Sequence, residues 1–149
     1  MVDLSRKDYV VIVQCDIVLE RCSGYFCEKA FHERAGGFAG YPKDKAFRML
    51  TMSCGGCCGR ALHRKLGHLK RKLKSKENVD KDRVVVQLSS CIALESFHGP
   101  ACPHLDYLKA LIARHGLDVL EGTKIDEHSE EKRKAGAYRA PLPPPERGR

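Results

Sequence analysis

Tyr9-Val10-Val11-Ile12-Val13-Gln14-Cys15 (YVVIVQC, residues 9–15) is an almost unbroken β-branched run that ends at a thiol. A strand with one wet face alternates apolar and polar residues. A strand covered on both faces reads as a continuous apolar run, which is the mark of a parallel sheet sandwiched between helices. Three further stretches fit beside it as strands. They are Ala46 to Ser53 (AFRMLTMS, interrupted by Arg48), Arg83 to Ser90 (RVVVQLSS), and Leu117 to Leu120 followed by Glu121-Gly122. Helical patterns lie between them. Gly24 to Arg34 is the first, and Leu62, Leu66, Leu69 and Leu73 mark one face of the second. Pro103 suits the first position of a third, whose apolar face (Leu105, Leu108, Leu111, Ile112) ends at Gly116. This alternation predicts βαβ units. The expected fold is an α/β three-layer sandwich with a small, mostly parallel four-stranded sheet in the order 2-1-3-4, Rossmann-like or flavodoxin-like.

The chain has 149 residues, enough for one domain with a real core. Residues 1–125 are expected to form that domain. Residues 126–149 turn charged and then proline-rich (Ala140 to Arg149, APLPPPERGR), which predicts an extended or mobile appendage. The N-terminus runs directly into a strand without the apolar stretch and cleavage site of a secretory signal, and no apolar run approaches the ~20 residues that span a bilayer. A cytoplasmic protein with reduced thiols and no membrane partner is therefore expected. There, cysteines serve more often as metal ligands or reactive groups than as cross-links.

The eight cysteines gain meaning once the strands are placed. The first strand is expected to end at Cys15, the second at Cys54 and the third at Cys91. In a parallel sheet all three ends share one edge, where open α/β folds bind their ligands. The loops leaving that edge add Cys22 and Cys27, then Cys57 and Cys58, then His98, Cys102 and His104. Core packing explains a single cysteine well, but not eight on one edge.

Cys54-Gly55-Gly56-Cys57 has the spacing that lets two sulfurs share one metal or close a small disulfide. Its place before a helix favours thiolate, and its glycines let the backbone approach closely. A redox pair leaves Cys15, Cys91 and Cys102 unexplained. A thiophilic metal, zinc or an iron–sulfur cluster, accounts for all of them, because soft sulfur selects such ions and a cation removes repulsion between thiolates. The expected ligands are Cys15, Cys54, Cys57, Cys91 and Cys102, with Cys22, Cys27 and His104 as further candidates. Five sulfurs exceed one tetrahedral zinc, which leaves open two metals, a cluster, or a metal beside a separate reactive thiol. The rival reading is a thiol–disulfide oxidoreductase in which Cys54 attacks and Cys57 resolves. A third is a metal or redox sensor.

These motifs resemble the CGGC domain family, a small prokaryotic family proposed to bind metal, zinc foremost. The resemblance runs from about Tyr9 to Lys124. It rests on Cys15, Cys22-Ser-Gly-Tyr-Phe-Cys27 with Ala30-Phe31, Ser53-Cys54-Gly-Gly-Cys57, Ser90-Cys91-Ile92, Cys102-Pro103-His104 and Glu121-Gly122-Thr123. It implies a shared thiol-rich metal site and no particular substrate. Two positions depart from the family's pattern: Cys58 stands where proline is common, and Lys124 where histidine often follows Gly-Thr.

Net charge is +8, and Arg60 to Lys76 holds eight basic residues and no acidic one. No aromatics interleave with these charges to stack bases, which argues against nucleic acid. The stretch reads as a solvated helix face able to attract an anionic partner. His32, His63, His68, His115 and His128 read as ordinary surface residues. Gly36-Gly37-Phe38-Ala39-Gly40 follows a helix instead of a strand, so it reads as a flexible loop with the freedom to move over the site.

Overall fold

The computed structural model describes residues 1–136. Strands β1 (Tyr9–Gln14), β2 (Arg48–Ser53), β3 (Val84–Leu88) and β4 (Asp118–Glu121) form one sheet in the order β2-β1-β3-β4. Every pair is parallel, with Tyr9 opposite both Arg48 and Val84, and Val85 opposite Asp118. The predicted order and direction are both observed.

Each residue of β1 and β3 is buried, as their continuous apolar sequences require. Alternate side chains feed two cores. Tyr9, Val11 and Val13 meet helices α2 (Arg60–Glu77) and α4 (Leu105–Arg114) through Leu62, Leu66, Leu108 and Ile112. Val10 and Ile12 meet helix α1 (Tyr25–Glu33) and the segment that follows it, through Ala30, Phe38 and Tyr41. The result is the expected three-layer sandwich. At the other end of the sheet, Lys7 is only 4% exposed and donates to Asp118 (2.5 Å) and to the carbonyl of Asp82 (2.7 Å), tying the start of β1 to that of β4.

Several boundaries differ from the sequence expectation, each for a local reason. The third strand stops at Leu88. The carbonyl of Ser89 then accepts the N–H groups of Ile92 (3.0 Å) and Ala93 (3.1 Å), so Ser90–Ala93 winds into a short helix, α3. Pro103 lies outside α4, in a turn closed by Leu105 N–H on the carbonyl of Cys102 (3.0 Å), and His104 takes the cap position.

The start of the charged tail is helical. In α5 (Glu127–Lys134), Asp126 caps the N-terminus by accepting from His128 N–H (3.1 Å). Glu127 and Glu130 occupy the first turn and Lys132 to Lys134 the last, the arrangement the helix dipole favours. Glu130 accepts from the backbone of Phe97 and Arg133 pairs with Glu95, docking α5 on the loop after α3. The proline-rich stretch of the expected appendage lies outside the described residues.

The Gly36–Phe38 segment is no mobile flap. Gly37 N–H donates to the carbonyl of Thr123 (2.7 Å), and Phe38 is fully buried. A Cβ on Gly37 would stand 2.0 Å from the carbonyl oxygen of Gly122. The buried side chain of Gln87 completes the tie. It accepts from Tyr41 Oη (2.8 Å) and donates to the carbonyls of Gly122 (2.6 Å) and Gly37 (3.2 Å). The segment is therefore part of the second core.

Candidate functional site

The strand order has a consequence at the C-terminal edge. From β1 the chain moves outward to β2, then returns across β1 to β3. At such a reversal the loops after the two central strands leave toward opposite faces and open a crevice between them. Here the crevice holds a cavity of about 460 Å³ lined by Cys15, Cys22, Cys27 and Cys91, together with His98 and Thr123.

Local structure positions each of the four cysteines. Cys15 directly follows β1, and its carbonyl accepts from Leu19 N–H (3.0 Å), turning the chain away from the sheet. The sulfur of Cys22 accepts from Gly24 N–H (3.4 Å). Cys27 sits in the first turn of α1 with its sulfur 3.2 Å from Thr123 Oγ1. Cys91 sits in α3 with its sulfur 2.9 Å from Ser89 Oγ. Burial pushes the Cys91 thiol above its ordinary value; the Ser89 hydroxyl opposes that, and negative charge on Cys15 or Cys27 adds to it.

Under the cavity, two buried side chains join the ends of β3 and β4. Ser90 N–H donates to Thr123 Oγ1 (3.2 Å) and Thr123 N–H donates to Ser90 Oγ (2.9 Å). Reading the cysteines alone passes over Ser89, Ser90 and Thr123. Their signal was adjacency: Ser90 precedes Cys91, and Thr123 follows a glycine at a strand end.

The other candidates stand outside this lining. Cys54 is 8% exposed and packs in the core beneath α2, with its N–H on the carbonyl of Gln14 (2.9 Å). Cys57 is exposed, and its sulfur accepts from Ala61 N–H (3.4 Å). The N–H groups of Ala61, Gly59 and Arg60 at the start of α2, together with the Arg60 charge, hold the Cys57 thiol below its ordinary value. Cys58 is half-buried in the same turn. Gly55 has φ +88°, and a Cβ there would stand 2.2 Å from that of Ala61, so this tight turn accepts only glycine. Cys102 packs against the core shared with α4, and His104 is an exposed cap residue.

Thus the thiols occupy one edge of the sheet: Cys15, Cys22, Cys27 and Cys91 line the crevice cavity, while Cys54 and Cys102 pack in the same core cluster as Cys15 and Cys91. The crevice between β1 and β3 receives the loops after those strands and the start of α1. β2 is an edge strand, and Ser53, just before its CGGC turn, donates to Asp16 in the loop after β1 (2.5 Å). All eight cysteines are free thiols. Among the described residues, no three His, Cys, Asp or Glu side chains are already drawn together as a set of metal ligands.

Fold and cavity together define a doubly wound α/β protein whose thiols gather where its strand order reverses. The chain belongs to the CGGC domain family, whose profile matches residues 9–124. Comparison with curated proteins and with solved structures found no match.

Proposed function

We propose that this protein binds a thiophilic metal in the crevice between β1 and β3, with Cys15, Cys22, Cys27 and Cys91 as its donors. The observation that carries the reading is that four free thiols line one cavity. Membership of the CGGC domain family supports a metal-binding role in general terms. The donor chemistry fits: soft sulfur selects zinc, Cu(I) or iron–sulfur clusters, and four ligands complete one tetrahedral zinc. Side-chain rotation about χ1 is needed to bring the sulfurs to one point, since no three stand at ligand positions. When bound, the cation would stabilise thiolates that repel one another in its absence. Eight free thiols suit a reducing compartment, the cytoplasm. Among the described residues, no helix is long and apolar enough to cross a membrane.

A metal titration under anaerobic, reducing conditions tests this reading. Cobalt(II) is a convenient probe for a thiolate zinc site, and iron with sulfide tests for a cluster. Cys15→Ser and Cys91→Ser should each lower metal affinity at least tenfold, while the Cys54→Ser/Cys57→Ser double variant should keep it. Full retention by Cys15→Ser/Cys91→Ser would overturn the assignment. Loss in the Cys54/Cys57 variant would instead move the ligands to the CGGC turn.

A second reading is favoured by the exposure of Cys57 and the N–H groups aimed at its sulfur. The Cys57 thiolate would attack an external disulfide, forming one S–S bond while the displaced thiolate leaves. Cys54 would then attack the Cys57 sulfur, releasing the second thiolate and leaving a Cys54–Cys57 disulfide. The roles are the reverse of those expected from sequence, because Cys54 is the buried partner. Cys57→Ser should abolish reduction of a small disulfide such as oxidised glutathione. An unchanged yield of reduced glutathione per chain would rule the pair out.

A further inference from the structure

Helices α2 and α4 pack side by side on one face of the sheet, and their exposed flanks form an open surface pocket of about 320 Å³. Arg60, His63 and Arg64 line it from α2; Tyr107, Leu111 and Arg114 line it from α4. The spacing explains the convergence. Positions 60, 63 and 64 share one face of a helix, as do 107, 111 and 114. None of the thiol cavity's lining residues belongs to it.

Its charge is uncompensated. Arg6, Arg48, Arg83 and Arg133 each pair with a carboxylate, whereas Arg60, Arg64 and Arg114 have none within 4.0 Å among the described residues. No acidic side chain lines the cavity. Leu111 supplies an apolar floor, and the Tyr107 ring stands 51% exposed at the rim. His63 is held in place from behind, its Nδ1 being 2.9 Å from Nε2 of His115.

Three arginines lining one small pocket suit a ligand with several negative oxygens. The planar fork of arginine matches phosphate and carboxylate in a way that lysine does not. The apolar floor and exposed aromatic ring suit a ligand that also has a flat apolar part. The volume lies in the small-molecule range. We infer that this cavity is a binding site for a small phosphate ester with a planar base or ring, of the nucleoside-phosphate class. The convergence of arginines on one concave site, together with one exposed ring, favours such a ligand over a nucleic-acid strand tracking along α2.

Isothermal titration calorimetry on the full reduced chain, at fixed ionic strength, is the test. Pyrophosphate and AMP are the probes. Both should bind saturably with one site per chain. Arg64→Glu and Arg114→Glu should each weaken both by about tenfold or more. Tyr107→Ala should weaken AMP more than pyrophosphate. Lys72→Glu, on the same helix but outside the lining, serves as the control and should change either affinity less than threefold. Circular dichroism of each variant establishes that it is folded. The absence of saturable binding, or an equal loss in Lys72→Glu, would overturn the proposal. So would a single-stranded oligonucleotide that binds with one site per chain while AMP does not; a strand-binding surface along α2 would then take its place.

Discussion

Cys57 and His115 show how far neighbours change a side chain's chemistry. Cys57 is exposed, and three backbone N–H groups stabilise its charged form. It should therefore be the first of the eight thiols alkylated by iodoacetamide near neutral pH, as followed by peptide mass spectrometry. Alkylation of Cys91 before Cys57 would contradict the roles assigned to burial and to the helix terminus. His115 is only 8% exposed, and burial, then Lys70, then His63 hold its pKa below the ordinary histidine value. The sign follows directly. The unfolded chain takes up this proton near pH ~6.5 and the folded chain only at lower pH, so stability is complete above that value and declines as pH falls below it. Urea midpoints at pH 7.5 and 5.5 should differ more for the native chain than for His115→Gln. Equal differences would show that the buried ring does not contribute. The sequence offered no sign of this burial, because His115 stands next to a helix-ending glycine and reads as surface. Its neighbours His63 and Lys70 lie on another helix.

At the scale of elements, the Gly36–Phe38 segment illustrates the limit of reading glycines as freedom. Two adjacent glycines suit a hinge, yet here they allow close packing of one backbone on another. Gly37→Ala would place a methyl group 2.0 Å from the carbonyl oxygen of Gly122, and backbone cannot yield as a side-chain tip can. A loss of about 2 kcal/mol is expected, with disturbance of the neighbouring Thr123 that touches Cys27. A chemical denaturation curve superimposable on that of the native chain would show that the segment is loose after all. The charged tail teaches the same lesson from the other side. Its composition suggests no structure, but a capping aspartate and charges ordered along the dipole form α5, and Glu130 and Arg133 dock it. Capping and charge order are legible locally, whereas the docking partners lie more than thirty residues away.

For the molecule as a whole, the layers and strand order were readable because they follow from few rules. Continuous apolar runs at β1 and β3 demanded two covering layers, and right-handed crossovers left the order 2-1-3-4 as a natural choice. The cysteines' common edge followed from the strand ends. Which of them line the cavity did not, because that depends on which loops face the crevice at the strand reversal. Cys54 shows the difference plainly. Its spacing to Cys57 is legible in the sequence, whereas its burial depends on the packing of α2 and α4 on the sheet. The basic helix was likewise visible as a charge run. The cavity formed by its arginines needs α4 alongside it, which no single stretch of sequence encodes.

The central position of β1 also orders events in time. The strand at residues 9–14 is made first, yet its inner neighbour lies at residues 84–88. Contacts so far apart in sequence form late and slow the search for the native state. Cys15, Cys22 and Cys27 therefore leave the ribosome well before β3 and Cys91 exist to close the crevice. Through that interval three unprotected thiols can react with one another or with passing oxidants. The yield of folded chain should thus depend on the redox state of the place where it is made.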